Sequence, residues 1–378
     1  MTAAEIPSDD GKNRSKLKKL LGYAVKNGAS DLHLSVGSPP AVRIDGEIRF
    51  LPADPLTLED MESFVNEMMN ERQRDTFYDR GDFDLAHGVP GLGRFRVNAL
   101  RQRGSTAIVM RHVKSKILGF EALNLPPVLS RIADMPRGLV LITGTTGSGK
   151  STTLASLVDW INDHKRMHIV TLEDPIEYLH TNKKSIVTQR EVAIDTRDFL
   201  AALRAVMRED PDVILIGEMR DAETFQAAIS AAETGHLVFS TLHTTNVMMT
   251  IDRIMDMFPS NMHAQVRSQL ALQLRACISQ RLLPAADTRG RVPAIEVMIS
   301  NPGIAGLIRD NNVKQIPNAI AGGAEDGMQT FNMSLAGLLR QRLIREDDAL
   351  IASDNPDELK MNMQGIYLSQ GRGGILKK

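Results

Sequence analysis

Hydrophobic positions change their spacing partway along the chain, and the change splits it into two parts. Leu17, Leu20, Leu21, Ala24 and Val25 recur at helical spacing, and Asn27-Gly28 ends that run. Val42 to Phe50 reads as two short strands around Asp45-Gly46, a dipeptide that closes two-residue hairpins. A helix is predicted from about Thr57 to Arg74, then strands around Phe83–Ala86, Arg94–Leu100 and Thr106–Val113. Strands that follow one another across short turns predict an antiparallel sheet. Residues 15–113 therefore read as a small α/β domain, preceded by a polar, flexible segment, 1–14, and followed by a linker, 114–124.

From about Leu125 strands and helices alternate, the signature of a largely parallel sheet. Predicted strands lie at 139–143, 167–172, 212–217 and 236–241, with a further β segment over 278–299 and helices over 302–360. Residues 125–378 read as a second domain, so the fold class is α/β throughout.

The chain has 378 residues, enough for these two domains and a sizeable core. Its 45 basic and 46 acidic residues leave a net charge of −1, without the basic excess of a general nucleic-acid footprint. The basic run Lys12, Arg14, Lys16, Lys18 and Lys19 reads as a solvated helix face, with contact to an anionic membrane surface as the alternative. Cys277, the single cysteine, excludes a disulfide framework and a multi-cysteine zinc site, and its apolar, helical-looking surroundings read as core. No apolar run approaches the ~18 residues of a membrane span. The first residues, with Glu5, Asp9 and Asp10, lack the character of a signal peptide. A soluble cytoplasmic protein is expected.

Candidate chemistry concentrates behind the strand Gly138–Ile142. Residues 143–153 read Thr-Gly-Thr-Thr-Gly-Ser-Gly-Lys-Ser-Thr-Thr, which fits the phosphate-loop pattern G-x-x-x-x-G-K-[ST]. Leu154, Leu157, Val158 and Ile161 then continue as an amphipathic helix, so the loop joins a strand to a helix as the motif requires. Gly144, Thr145, Thr146, Gly147, Ser148, Gly149, Lys150, Ser151 and Thr152 are the candidate nucleotide-binding residues. Backbone N–H groups of such a loop, with the helix N-terminus, cradle phosphates. Lys150 would reach the β- and γ-phosphates of ATP, and the Ser151 hydroxyl would ligate Mg²⁺.

Three later segments add candidates. Ile169 to Tyr178 is an apolar strand ending in Glu173-Asp174-Pro175, with Glu173 at the strand end where ligands of parallel sheets bind. Asp210 to Asp221 holds four apolar β-formers, then Gly217 and Glu218, like a Walker B strand with glycine at the usual aspartate position. Thr234 to Thr245 is a strand ending at a polar cluster that contains His243, a candidate sensor of the γ-phosphate. Glu173 and Glu218 share the roles of general base and carboxylate of the Mg²⁺ shell, and the sequence leaves their division open.

These boxes, in this order, resemble the secretion ATPase superfamily, the motors of type II secretion and type IV pili. The 172–177 segment resembles its Asp box, 210–221 its atypical Walker B and 235–245 its His box, with His236 and His243 at the motif positions. The resemblance extends to Gly28–Leu34 and Gly93–Asn98 in the first domain. It implies a PAS-like first domain, a RecA-like ATPase domain and a homohexameric ring. Arginines complete the nucleotide site in such rings; Arg96, Arg111 and Arg208 are the matches here. Gly303 to Asp310, with Gln315-Ile316-Pro317 and Gly327 to Thr330, is similar to the C-terminal motif of the pilus retraction branch, the PilT-like ATPases. Ala305, Gly306 and Asp310 depart from that motif, which keeps an accessory retraction paralogue in view beside an extension or type II secretion motor. The implied partners are the inner-membrane platform protein and the rest of the pilus machinery, reached from the cytoplasmic face. No nucleic-acid partner is expected. A nucleic-acid translocase, a small-molecule kinase or GTP switch, and a ring with a degenerate site are the competing classes.

Overall fold

The computed structural model describes residues 15–113, 116–287 and 290–364. They fall into two units, Met1–Ser115 and Lys116–Lys378. The expected flexible segment 1–14, with Lys12 and Arg14, lies outside the described residues, as do two positions of the expected linker, 114 and 115.

The first unit runs α1 (Lys16–Lys26), β1 (Asp31–Ser35), β2 (Ala41–Ile44), β3 (Glu47–Phe50), α2 (Leu58–Met68), α3 (Glu71–Arg80), β4 (Asp82–Val89), β5 (Gly93–Gln102) and β6 (Ser105–His112). Its sheet has the order β3-β2-β1-β6-β5-β4, antiparallel at every pairing. Asp45 and Gly46 take φ of 51° and 86°, the two positive values a type I′ hairpin turn needs. Leu17, Leu21, Phe64 and Phe77 from the helices pack with Leu32, Phe95, Val97 and Ile108 from the strands.

The single helix expected over Thr57 to Arg74 is two. Thr57 and Asp60 form a capping box that starts α2. Met69 is extended (φ −116°, ψ 138°). Asn70 then caps α3 through reciprocal 3.0 Å bonds with Gln73. The second box gives the backbone a competing set of partners, so one periodic run of apolar residues spans two helices.

The second unit runs α4 (Val128–Ala133), β7 (Gly138–Thr143), α5 (Lys150–His164), β8 (His168–Glu173), β9 (Ile186–Glu191), α6 (Phe199–Val206), β10 (Val213–Ile216), α7 (Ala222–Glu233) and β11 (Leu237–Leu242). It continues with α8 (Val247–Asp256), α9 (His263–Gln273), β12 (Leu274–Pro284), β13 (Arg291–Ile299), α10 (Pro302–Arg309), α11 (Ile316–Gly322), α12 (Phe331–Arg340), α13 (Glu346–Ala352) and α14 (Pro356–Met363). The sheet order is β13-β12-β7-β11-β10-β8-β9, parallel except for β13. Alternate residues of each strand serve opposite layers. Val140, Ile142 and Phe239 meet Leu157 and Ile161 of α5 and Ile132 of α4. Leu139, Leu141 and Val238 face the layer of α6 to α11. Burial on both faces explains the near-continuous apolar runs of the central strands.

Three expectations change here. The β segment over 278–299 is a hairpin of two strands that begins earlier, at Leu274. Cys277 therefore sits on a strand, β12, not in a helix; it is buried, and burial pushes its thiol up to about 12. An edge strand, β9, appears that the pattern did not reveal, because Thr188, Gln189 and Arg190 leave it no apolar run.

Candidate active site

β7 ends at Thr143 and α5 starts at Lys150, so the glycine-rich loop leaves the carboxyl edge of a central strand and enters a helix N-terminus. Gly144, Gly147 and Gly149 take φ of 150°, 78° and 93°, values that disfavour any side chain. The loop also lies close on β12. A Cβ at Gly149 would stand 2.6 Å from the Gln280 amide, and one at Gly144 would run into Ser148 and the Gln280 carbonyl. Buried bonds fix this floor: Thr143 Oγ1 donates to Ser279 Oγ at 2.9 Å, and Thr153 Oγ1 donates to Gln280 Oε1 at 2.7 Å.

The Lys150 ammonium turns back over its own loop, donating to the carbonyls of Gly144 (2.8 Å) and Thr145 (3.1 Å). Burial lowers its pKa, and the charge of Glu218 offsets part of that effect. The Ser148 hydroxyl is buried with no hydrogen-bond partner among the described residues. A desolvated ammonium and an unmatched hydroxyl in an inward-turned loop fit an anionic phosphate chain.

Lys150, Ser151, Glu173, Glu218 and His243 line one cleft of about 300 Å³, with Thr146 and Gly147 beside them. Gly144, Thr145, Ser148 and Gly149 shape the turn rather than that wall. Thr152 is engaged elsewhere, at 2.8 Å from the Tyr178 hydroxyl. Glu173, the last residue of β8, accepts from Thr171 Oγ1 (2.7 Å), Gln189 Nε2 (3.2 Å) and the Glu177 amide (3.4 Å). Burial nevertheless raises its pKa. Glu218 follows β10 and meets the Arg220 guanidinium and, at 3.4 Å, the His243 Nε2 instead.

The glycine before Glu218 has a steric reason. Gly217 N donates to Leu172 O at 2.7 Å, and a Cβ there would stand 3.3 Å from that same oxygen. An aspartate at this position has little room against β8.

Arg208 is exposed beyond the end of α6 and does not line the cleft. His236 lies at the opposite end of β11 from His243, where its Nδ1 stands 2.8 Å from Ala231 O and closes α7. Arg96 and Arg111 belong to the first unit, directly opposite each other on β5 and β6; Arg111 Nε donates to Asp31 Oδ1 at 2.8 Å, and Arg96 is exposed. Sequence reasoning gave no role to Tyr178, His180 or Phe199, which also line the cleft. His180 is largely desolvated, which brings its pKa down to about 4, so it is neutral at physiological pH. Its only signal was proximity to the acidic segment. Arg220 was legible as a charge two residues beyond Glu218, without any sign that the two would pair.

A parallel sheet with a phosphate loop at one strand end and acids on its neighbours defines a RecA-like P-loop ATPase. The chain matches the family model described as "Type II/IV secretion system protein" over residues 8–316, and it belongs to that family. It is 49% identical to the type IV pilus retraction ATPase PilT of Pseudomonas aeruginosa, over 88% of this chain and 96% of that one. It is 40% identical to the type IV pilus ATPase PilU of the same organism, over 92% of this chain and 91% of that one. A crystal structure of the pilus retraction motor PilT with bound ADP superposes with a TM-score of 0.85 at 48% identity, covering 92% of this chain and 99% of that chain. The Legionella pneumophila ATPase DotB follows with a TM-score of 0.72 at 26% identity, over 92% and 98% of the two chains.

Proposed function

We propose that this chain is the ATP-driven motor of type IV pilus retraction, working as a Mg²⁺-dependent homohexamer. The observation that carries the reading is the convergence of Lys150, Ser151, Glu173, Glu218 and His243 on one cleft, in a chain 49% identical to a named retraction ATPase along nearly its whole length.

Lys150 and the loop amides hold the phosphates, and Lys150 exchanges its two carbonyl partners for phosphate oxygens. Ser151, exposed at the start of α5, would hold Mg²⁺, and Glu173 and Glu218 would serve it through water. When bound, Mg²⁺ polarises the phosphoryl oxygens and offsets the charge that develops on them. Glu218 orients water and takes its proton, and His243, in contact with Glu218, links the occupancy of the γ-position to the strand it ends. Arg208 is exposed and outside the cleft of its own copy, so a neighbouring copy in the ring is the site it serves. Arg96 and Arg111 are assigned the same service.

No helix among the described residues is long and apolar enough to cross a membrane. Contact with the inner membrane is therefore assigned to a platform protein at its cytoplasmic face. A second reading, an accessory retraction motor, is favoured by Ala305, Gly306 and Asp310 in and after α10.

The test is a count of surface pili in the native host carrying Lys150→Ala. More fibres with motility lost is the expected outcome. Few or no fibres would mean an extension or secretion motor, and an unchanged count would mean an accessory one.

A further inference from the structure

One buried carboxylate of the second unit has no part in the cleft. Glu296, on β13, is 6% exposed. Its Oε2 accepts the backbone N–H of Val247 at 2.8 Å. Val247 is the first residue of α8, so its amide has no partner within the helix and needs one from elsewhere. The remaining acceptor capacity of Glu296 takes a hydrogen bond from Ser279, its cross-strand partner on β12. Ser279 in turn accepts from Thr143, the residue on which the phosphate loop begins.

These residues form a continuous row across the sheet. Leu242 of β11 pairs with Thr143 of β7, Thr143 with Ser279 of β12, and Ser279 with Glu296 of β13. His243 follows Leu242. The loop His243–Asn246 is therefore held at both ends by this row: at Leu242 by the ladder, and at Val247 by the carboxylate that ends it. Between those ends, Thr244 of the loop bonds at 2.7 Å to Thr250 of α8, and His243 projects, half-exposed, to Glu218. A shift of the phosphate loop at Thr143 is thus tied, through two side chains, to the helix whose start sets the position of His243.

We propose that Glu296 is a positioning residue of the ATPase site, fixing the His243 loop relative to the phosphate loop through Ser279 and Thr143. The inference rests on the ATPase reading of the cleft and goes beyond it. Glu296 touches neither the cleft nor any residue assigned to Mg²⁺. The ionisable groups around it are Asp354, Arg281 and Cys277. Arg281 is itself paired with Asp354 at 2.8 Å and lies 3.4 Å from Thr245 O. Burial, which is the largest influence, pushes the carboxyl up to about 7, while the bonds from Val247 and Ser279 hold it down. Near neutral pH the row therefore ends in a group close to its titration point.

The experiment is steady-state ATP turnover by the full chain, followed from pH 6 to 9, in wild type, Glu296→Gln and Ser279→Ala. Glu296→Gln keeps the shape and an acceptor oxygen but loses the charge. Its kcat is expected to fall about tenfold with KM for ATP nearly unchanged, the size a small misplacement of a catalytic group produces. The acidic limb of wild-type kcat near pH 7 should vanish in this variant. Ser279→Ala removes a bond that lowers the Glu296 pKa, so it should move that limb to higher pH. A helix cap with no link to catalysis would leave kcat and the limb in place in both variants, whatever the melting temperature does, and that result overturns the proposal. Should Glu296→Gln not fold, an unmoved limb in Ser279→Ala overturns it equally. Unchanged pili in Lys150→Ala beside an altered limb would sink the retraction reading alone.

Discussion

Glu173 and Glu218 end neighbouring parallel strands, one residue past and two residues past the paired positions Leu172 and Ile216, yet the protein treats them differently. Glu173 is enclosed and held by three neutral donors, with its pKa raised by burial. Glu218 faces the ammonium of Lys150, the guanidinium of Arg220 and the ring of His243. A fixed, neutral-donor cage makes an acceptor whose orientation does not change. A carboxylate among exchangeable partners can hand one partner on to another. These surroundings favour one division of the roles that the sequence left open, and it is part of the proposal: Glu218 as the base, Glu173 as the oriented acceptor for the metal's water shell.

The largest expected effect is therefore at Glu218. Glu218→Gln should lower kcat by about 10²–10⁴, the range of a lost general base, with nucleotide affinity retained. Fluorescent-nucleotide binding beside turnover checks both halves. A loss of binding as large as the loss of turnover would mean that Glu218 serves to hold the nucleotide instead.

Glu173→Gln should cost less, on the order of tenfold in kcat, because the amide still accepts and is still oriented. Its second effect has a definite sign. A carboxyl with a raised folded pKa binds protons more readily in the folded state than in the unfolded state. Stability then falls as pH rises from the ordinary carboxylate range through the raised value. Glu173→Gln should therefore melt higher than wild type at pH 8 and lose that advantage towards pH 4. Lower kcat with a higher melting temperature is the signature of a group kept for function at a cost in stability. Wild-type turnover in this variant would remove Glu173 from the mechanism.

The two acids also show what a sequence carries. Both were legible, because a strand followed by an acid is a local pattern, and so was the phosphate loop. What surrounds each acid was not. Gln189, a donor to Glu173, comes from β9, an edge strand with no apolar run to betray it. The pairing of Arg220 with Glu218 depends on how the backbone turns after Gly217, where contact with Leu172 leaves little space. The same limit appears in the core. The break between α2 and α3 was set by the side-chain bonds of Asn70 and Gln73, invisible to hydrophobic spacing, and Cys277 looked helical because β12 is apolar on both faces. Glu296 gave no local signal at all, since its partners Ser279 and Val247 come from two other elements.

The smallest expected effect separates two meanings of Arg220. Its guanidinium is 65% exposed, and exposed ion pairs contribute about 1 kcal/mol or less. If Arg220 only occupies Glu218 until nucleotide arrives, Arg220→Gln frees the carboxylate and basal turnover should rise by a factor of about five at most. The gain should shrink in high salt, where the wild-type pair is already screened. If Arg220 instead moves from Glu218 to the nucleotide, neutralising charge on the phosphates, the same substitution should lower turnover more than tenfold, a loss that salt does not reproduce. A rise keeps the contrast between a caged and an exchangeable carboxylate as drawn. A large fall makes Arg220 a working member of the cleft, and Glu218 the group that parks it.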